Sequence, residues 1–176
     1  MASIINTKIA VPLSSVKDGI TVFNYRFQEP DLHFGEGQRF PNEIVVNVTV
    51  TGMGSDILLS TKVTSEALIV CDRCCSDFKY LINNEVKSLY TYDIEKYKED
   101  TDDEIKYLHG SMQEIDIVPE IIDALSLAIP TKCLCNESCK GLCVICGENL
   151  NIKKCDCENN EIDPRWNGLK NIKFED

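Results

Sequence analysis

The feature that most constrains the fold is a concentration of cysteines between residues 133 and 157. Seven of the chain's ten cysteines lie in these 25 residues. The run Cys143-Val144-Ile145-Cys146-Gly147 has the tight spacing that turns several sulfur atoms towards one point, and Gly147 can adopt the positive φ that such a turn needs. Because this density and spacing suit neither a disulfide framework nor inert buried thiols, they predict a zinc-binding module.

A second cysteine pair lies upstream, in the run Cys71-Asp72-Arg73-Cys74-Cys75. A Cys-x-x-Cys pair is also typical of thiol–disulfide redox enzymes, where a strand feeds a helix whose N-terminus lowers the thiol pKa. Here strand-like sequence leads both into and out of the pair. The pattern therefore favours half of a metal site, or a structural turn, over a redox centre.

The residues before and after this pair predict antiparallel β structure. Thr21 to Phe27, Ile44 to Thr51 and Ile57 to Val63 alternate apolar and polar side chains, and Gly52 to Asp56 suits a hairpin turn. The alternation returns from Phe78 to Tyr92. We expect an α+β fold that is mainly antiparallel, with a meander or partly closed sheet buried on one face.

The remaining segments complete the predicted architecture. Residues 93–110 are polar and acidic and are expected to form a solvated connection, and a helix is expected at about 119–129, ending before Pro130. Asp163 and Pro164 have the residue types that begin helices, so a short terminal helix is predicted. We therefore divide the chain into a β domain at 1–130 and a cysteine-rich zinc module at 131–176.

Charge restricts the partners. The net charge is −11, and residues 85–123 carry most of the excess, with 12 acidic and 4 basic side chains. Because affinity for nucleic acid depends on Lys and Arg neutralising phosphates, a large free-standing RNA-binding surface is not expected. Any RNA contact would be local, at basic residues near the cysteines.

The sequence also bears on compartment. It contains no apolar run long enough to span a membrane, and its start lacks the features of a secretory signal. A cytoplasmic location is expected, where thiols stay reduced and clustered cysteines bind metal.

The order of these motifs resembles the YceD family, the large ribosomal RNA subunit accumulation proteins of bacteria. The resemblance is carried by Cys-x-Arg-Cys, by Cys-Lys-Gly-Leu-Cys-x-x-Cys-Gly-x-Asn-Leu-Asn, by Cys-Asp-Cys and by Asp-Pro-Arg, at positions 71–74, 139–151, 155–157 and 163–165. Val144 departs from the proline that is usual in the family, and Cys75 and Cys133 lie outside the pattern.

The resemblance implies a non-enzymatic role in biogenesis of the large ribosomal subunit and accumulation of its RNA. The family's gene often neighbours that of ribosomal protein L32, so L32 or precursor large-subunit ribosomal RNA is the expected partner, with no small-molecule substrate. The alternative is a thiol-redox or metal-dependent enzyme that uses the Cys-x-x-Cys pairs.

Without Cys75 and Cys133, eight cysteines remain, enough for one or two structural zinc ions: Cys71, Cys74, Cys135, Cys139, Cys143, Cys146, Cys155 and Cys157. The favoured arrangement is a local site of Cys139, Cys143, Cys146 and one of Cys155 or Cys157, because short loops cost less closure entropy. The remaining thiols would then form a second site with Cys71 and Cys74. The rival arrangement joins Cys71 and Cys74 directly to Cys143 and Cys146.

Candidate partner-binding residues are basic or aromatic and lie near the cysteines: Arg73, Lys140, Lys153, Lys154, Arg165 and Trp166. No catalytic residue is predicted, because neither histidine has a Cys or His neighbour at ligand spacing.

Overall fold

A computed structural model of the protein describes residues 9–28, 40–97, 105–157 and 165. Within them, a five-stranded sheet has the order β2-β3-β4-β5-β6, and a two-stranded sheet pairs β1 with β7. The strands are β1 (Ala10–Pro12), β2 (Gly19–Phe27), β3 (Ile44–Met53), β4 (Asp56–Val70), β5 (Asp77–Thr91), β6 (Ile105–Tyr107) and β7 (Glu114–Asp116), and helix α1 spans Val118–Ala128.

Strands β2 to β5 form an antiparallel meander whose register follows the apolar alternation of the sequence. On β3, Val46, Val48 and Val50 are fully buried, whereas the residues between them are only partly buried. The β3–β4 hairpin turns at Gly54, which has φ of +66°. The predicted strands and the predicted meander are therefore confirmed, and the sheet is open among the described residues.

Strands β4 and β5 form the longest hairpin in the part of the chain that the structure describes. Each strand has 15 residues, and the pairing continues from Asp56 opposite Thr91 to Val70 opposite Asp77. The turn at the far end of this hairpin, residues 71–76, carries the first two predicted metal ligands. The hairpin thus presents Cys71 and Cys74 at its tip.

The described parts of the predicted connection, residues 93–97 and 105–110, make specific contacts with the sheet. Glu95–Tyr97 form a single 3₁₀ turn, and β6 pairs parallel to β5 through Ile105 to Tyr107. Lys96 and Tyr97 bond the Asp56 carboxylate, which anchors the turn on the sheet. The acidic composition of the segment hid these local contacts.

Helix α1 covers the buried face of the sheet. Ile121, Ala124 and Leu125 are fully buried in the same core as the β3 valines, and the Asn84 side-chain amide on β5 donates to the Ala124 carbonyl at 2.9 Å. Pro119 lies in the first turn of the helix, as predicted. No helix in the described residues is long and apolar enough to cross a membrane.

The fold class is confirmed as mainly antiparallel β with one packing helix and cysteine clusters towards the C-terminus. The predicted terminal helix and Trp166 lie outside the described residues. The division into domains at 1–130 and 131–176 stays a prediction.

Candidate metal centres

Eight cysteines form two groups whose sulfur atoms converge. Group A consists of Cys71, Cys74, Cys135 and Cys139, and group B consists of Cys143, Cys146, Cys155 and Cys157. In each group all four sulfur atoms lie within 4.8 Å of one another. Cys75 and Cys133 join neither group among the described residues.

The tip of the β4–β5 hairpin positions the first half of group A. The Cys71 amide donates to the Ser76 carbonyl at 2.9 Å, and the Cys75 amide donates to the Cys71 carbonyl at 2.9 Å. Cys75 has φ of +55°, the left-handed conformation that reverses the chain here. This tight turn holds Cys71 and Cys74 on the same side of the hairpin.

Backbone contacts dock the second half of group A against that turn. The Asp72 amide donates to the Cys133 carbonyl at 2.8 Å, and the Cys133 amide donates to the Asp72 carboxylate at 2.6 Å. The Arg73 guanidinium donates to the carbonyls of Glu137 and Cys139 at 3.4 and 3.0 Å. These bonds bring residues from the far end of the sequence to the hairpin tip.

Gly141 allows the closest approach between the two segments. Its φ is +75°, and a Cβ atom there would lie 3.1 Å from the Arg73 carbonyl oxygen. The same oxygen accepts the Leu142 amide at 3.1 Å. Glycine therefore satisfies both the conformation and the space of this contact.

The sulfur spacing of group A fits a tetrahedral ion. Zn–S bonds of about 2.3 Å in a tetrahedron place the sulfur atoms about 3.8 Å apart. The Cys71 and Cys139 sulfurs are 3.9 Å apart, and the Cys74 and Cys135 sulfurs are 3.7 Å apart. The Cys135 amide also donates to the Cys71 sulfur at 3.4 Å, which stabilises a thiolate.

Group B is built around a knuckle of the kind the sequence predicts. The Gly147 amide donates to the Cys143 carbonyl at 2.9 Å, and the Ile145 amide points to the Cys143 sulfur at 3.4 Å. Gly147 has φ of +74°, which confirms the predicted positive φ. The Cys143 amide donates to the Glu148 carbonyl at 2.8 Å and closes the turn.

Hydrogen bonding and desolvation shift the pKa values of the thiols in opposite directions within each group. The backbone amide of Cys135 lowers the pKa of Cys71 to about 6, and the backbone amides of Cys146 and Ile145 lower that of Cys143 to about 6. Desolvation and the neighbouring thiols raise the pKa of Cys135 to about 12. Four adjacent thiols cannot all ionise without a cation, so a metal ion would replace the shared protons.

The same pattern holds for the last cysteine of group B. A hydrogen bond with the Cys146 thiol and, to a smaller extent, desolvation raise the pKa of Cys157 to about 12. The pKa of at least one thiol is thus lowered and that of at least one is raised in each group.

The two groups differ in burial. In group A, Cys71, Cys74 and Cys139 are buried in a small apolar cluster with Phe78, Leu134 and Leu142. In group B, Cys146 and Cys157 are exposed. Three of the four cysteines of group A are therefore buried, with Cys135 exposed, whereas group B has no buried cysteine.

The groups contain the eight predicted cysteines, but the favoured division between sites is wrong for Cys139. It lies with Cys71, Cys74 and Cys135, and both Cys155 and Cys157 belong to group B. The rival pairing of Cys71 and Cys74 with Cys143 and Cys146 is not what the structure shows either. Closure entropy did not decide the arrangement, because each doubling of loop length costs only about 0.6 kcal/mol.

The predicted partner-binding residues have different surroundings. Arg73 is exposed, but its guanidinium bonds the backbone of the cysteine segment, which gives it a structural role. Lys140, Lys153, Lys154 and Arg165 are exposed. Contact of any of these residues with a partner stays a prediction.

Sequence reasoning gave no role to the polar residues that support the sulfur atoms. The Asn151 side-chain amide donates to the Cys139 sulfur at 3.2 Å, and the Asn149 amide donates to the Ser76 hydroxyl at 3.2 Å. The Asn-Leu-Asn run directly after the Gly147 turn was the available signal, because two amides that flank an apolar residue after a knuckle suit local hydrogen bonding.

A comparison with protein families matches residues 59–173 to the family described as "Large ribosomal RNA subunit accumulation protein YceD". The matched range includes all eight cysteines of the two groups. No solved structure matches the chain significantly.

Individual relatives are similar over parts of their length. An Arabidopsis thaliana protein named as a chloroplastic YCED homolog 1, large ribosomal RNA subunit accumulation protein, is 42% identical over 62 residues, which are 35% of this chain and 19% of that protein. A Zea mays protein of the same name is 42% identical over 60 residues, 34% of this chain and 20% of its own length. An uncharacterised Mycobacterium leprae protein is 26% identical over 129 residues, 73% of this chain and 58% of that protein. The matches thus span less than two thirds of each of these relatives.

Proposed function

The chain belongs to the YceD family, and from this membership we propose that it is a non-enzymatic factor that supports accumulation of large-subunit ribosomal RNA. The observation that carries the proposal is the family match over residues 59–173, which includes most of β4, all of β5 and α1, and both cysteine groups. The plant relatives, named as large ribosomal RNA subunit accumulation proteins, support the same role.

We further propose that each cysteine group holds one structural zinc ion. Four sulfur ligands within 4.8 Å of one another can form a closed site, and a closed site leaves no coordination position for substrate or water. A zinc ion bound there would supply a cross-link between chain segments. In group A that cross-link would join the tip of the β4–β5 hairpin to residues 135–139.

The ion's identity can be tested on protein purified in its reduced form without chelator. Elemental analysis is expected to give two zinc ions per chain, with the eight group thiols protected from alkylation and Cys75 alkylated. A correctly folded protein without metal would contradict the zinc proposal. Rapid alkylation of Cys71 and Cys74 in such a protein would support the thiol-redox alternative instead.

For the direct partner we propose a basic ribosomal protein, with L32 as the first candidate. Residues 85–123 hold 12 acidic and 4 basic side chains, and Asp93, Asp116 and Asp123 of this segment are exposed. An acidic surface attracts strongly basic proteins and repels phosphate backbones. Bound zinc would add to this tendency, because an ion with four thiolates carries a net negative charge.

Capture of partners by the tagged chain, with and without nuclease, tests this proposal. A ribosomal protein retained after nuclease treatment is the expected result. Replacing Asp93, Asp116 and Asp123 by Asn should weaken the capture more at low salt than at high salt, whereas Asp156→Asn, an exposed acidic position outside the segment, should have little effect. Loss of every partner on nuclease treatment would identify precursor RNA as the direct contact.

The cellular role is tested by the ratio of large-subunit to small-subunit ribosomal RNA in cells depleted of the chain. We expect this ratio to fall and to be restored by the unmodified chain. A Cys135→Ser chain, which lacks one ligand of group A, should restore it less well than Cys75→Ser. An unchanged ratio on depletion would refute the ribosomal role.

A further inference from the structure

We propose that groups A and B bind their metal ions cooperatively, because the loop held by group B supplies Asn151 as a hydrogen-bond donor to a sulfur of group A. The inference rests on metal binding by both groups and is independent of the ribosomal role. It assigns Asn151 as a positioning residue that acts on the metal through Cys139.

Asn151 lies in the loop between Cys146 and Cys155, which we call the group B loop, but its side chain contacts group A. The two ends of this loop are ligands of group B. The Asn151 side-chain amide donates to the Cys139 sulfur at 3.2 Å, and its side-chain oxygen accepts the Lys140 amide at 2.8 Å. Asn151 thus binds both the sulfur of Cys139 and the backbone that follows it.

Asn149 fixes Asn151 in that position. The Asn149 side-chain oxygen accepts the Asn151 backbone amide at 3.0 Å and its side-chain amide at 2.9 Å. The Asn149 side-chain amide donates to the Ser76 hydroxyl on the hairpin tip at 3.2 Å. One residue pair therefore connects the group B loop to both halves of group A.

Backbone pairing holds the loop against the segment between the two groups. The Leu150 amide donates to the Gly141 carbonyl at 2.9 Å, and an antiparallel bridge pairs Leu142 with Asn149. Only the short run from Cys139 to Cys143 links the last ligand of group A to the first ligand of group B. An ion that closes group B therefore limits the movement of Asn151 relative to Cys139.

The thermodynamic consequence follows from the hydrogen bond to sulfur. A donor to a ligating sulfur stabilises the thiolate, and removing such supporting residues typically weakens metal affinity about 10–100-fold. Ordering the loop at group B pre-forms this donor for group A. Linkage requires the effect to be reciprocal, so an ion in group A must strengthen binding at group B by the same factor.

The test uses the full chain and cadmium as the probe metal, because ¹¹³Cd NMR gives each four-sulfur site its own resonance. Chelator competition then reports the loading of each site separately. Four proteins are compared: the unmodified chain, Asn151→Ala, the double variant Cys155→Ser/Cys157→Ser, and the combination of all three substitutions. Ile152→Ala is the matched control, since it alters an 82% exposed neighbour in the same loop.

We expect Asn151→Ala and the double cysteine variant each to weaken group A about tenfold, and the combined variant to be no weaker than the double variant. Asn151→Ala should also shift the group A resonance, which a general loosening of the sheet would not do, and Ile152→Ala should change neither quantity. Asn151→Asp, which keeps the side-chain size, loses the donor and adds a negative charge beside the Cys139 sulfur, should weaken group A at least as much as Asn151→Ala.

Three results would overturn the inference. They are an unchanged group A affinity in the double cysteine variant, additive effects in the combined variant, and equal effects of Asn151→Ala and Ile152→Ala. An unmodified chain that gives no cadmium resonance would refute metal binding itself, and the inference with it. Because circular dichroism reports the β-sheet separately, a variant that fails to fold is recognised, and Asn151→Asp then supplies the comparison.

Discussion

Replacing Gly141 by alanine should weaken the contact between residues 133–142, which we call the cysteine segment, and the tip of the β4–β5 hairpin. Two costs follow from the structure. An L-residue at φ of +75° loses about 1–2 kcal/mol relative to glycine. The new Cβ would also lie 3.1 Å from the Arg73 carbonyl oxygen, which is closer than an ordinary contact. The Arg73 oxygen must then move, and its hydrogen bond from the Leu142 amide, now 3.1 Å long, contributes about 0.5–1.5 kcal/mol.

Gly147 provides the matched control within the turn of group B. Its φ is +74°, so alanine there carries the same conformational cost, but a Cβ would have nothing within 4 Å. The difference between the two variants isolates the contact with Arg73. We expect Gly141→Ala to cost about 1 kcal/mol more than Gly147→Ala, or roughly fivefold in the local opening equilibrium.

Hydrogen exchange of the metal-loaded protein measures this difference. The Leu142 amide should exchange faster in Gly141→Ala than in Gly147→Ala, while the amides in the middle of β3 and β4 should be unaffected, since they lie in the sheet core. Equal exchange of Leu142 in both variants would show that the close approach to Arg73 does not stabilise the docked segment. Faster exchange in Gly147→Ala would refute the reasoning outright.

Further predictions concern the metal and the sheet. Cys135→Ser should lower the metal content by one ion per chain, whereas Cys75→Ser, at an exposed cysteine outside both groups, should not; elemental analysis distinguishes them. Metal affinity should fall steadily as the pH is lowered from 8 to 5, because protons compete for the thiolates, and binding at pH 7 should release protons into weakly buffered solution. Hydrogen bonds from Lys96 and Thr91 lower the pKa of Asp56 from 3.8 to about 2. Between pH 3.8 and about 2, Asp56 is therefore more often protonated in the unfolded state than in the folded state. Its contribution to the free energy of unfolding is complete above pH 3.8 and is lost as the pH falls towards 2. Denaturation of Asp56→Asn at several pH values should show a weaker dependence over this range than the unmodified chain.

The two groups differ in how far apart their ligands lie along the chain. The ligands of group A are separated by residues 75–134, with Cys71 and Cys74 before this range and Cys135 and Cys139 after it. Group A therefore forms only when the intervening strand β5 and helix α1 have folded. Group B draws all four ligands from residues 143–157. The family relation and the proposed ribosomal role concern both groups, since the family match includes them all.

Much of the sheet was predictable because its signals are local. The alternation of Val46, Val48 and Val50 fixes which side of β3 is buried, and a shift of one residue would turn that face to solvent. Pro119 and Pro130 bracket the helix in the same way. By contrast, β6 has three residues and pairs parallel to β5, so neither its length nor a hairpin turn marks it in the sequence.

By itself, the sequence determined that β-rich segments precede a sulfur-rich tail, and its resemblance to the YceD family separated eight candidate metal ligands from Cys75 and Cys133. Only the tertiary structure decided that Cys139 lies with Cys71 and that Asn151 reaches across to its sulfur. The physical reason is that ligand spacing constrains the local turns alone. Which cysteines come together depends on the tertiary contacts between these turns. Those contacts are made by the hairpin tip, by the hydrogen bonds of Arg73 and by the close packing of Gly141 against the Arg73 carbonyl.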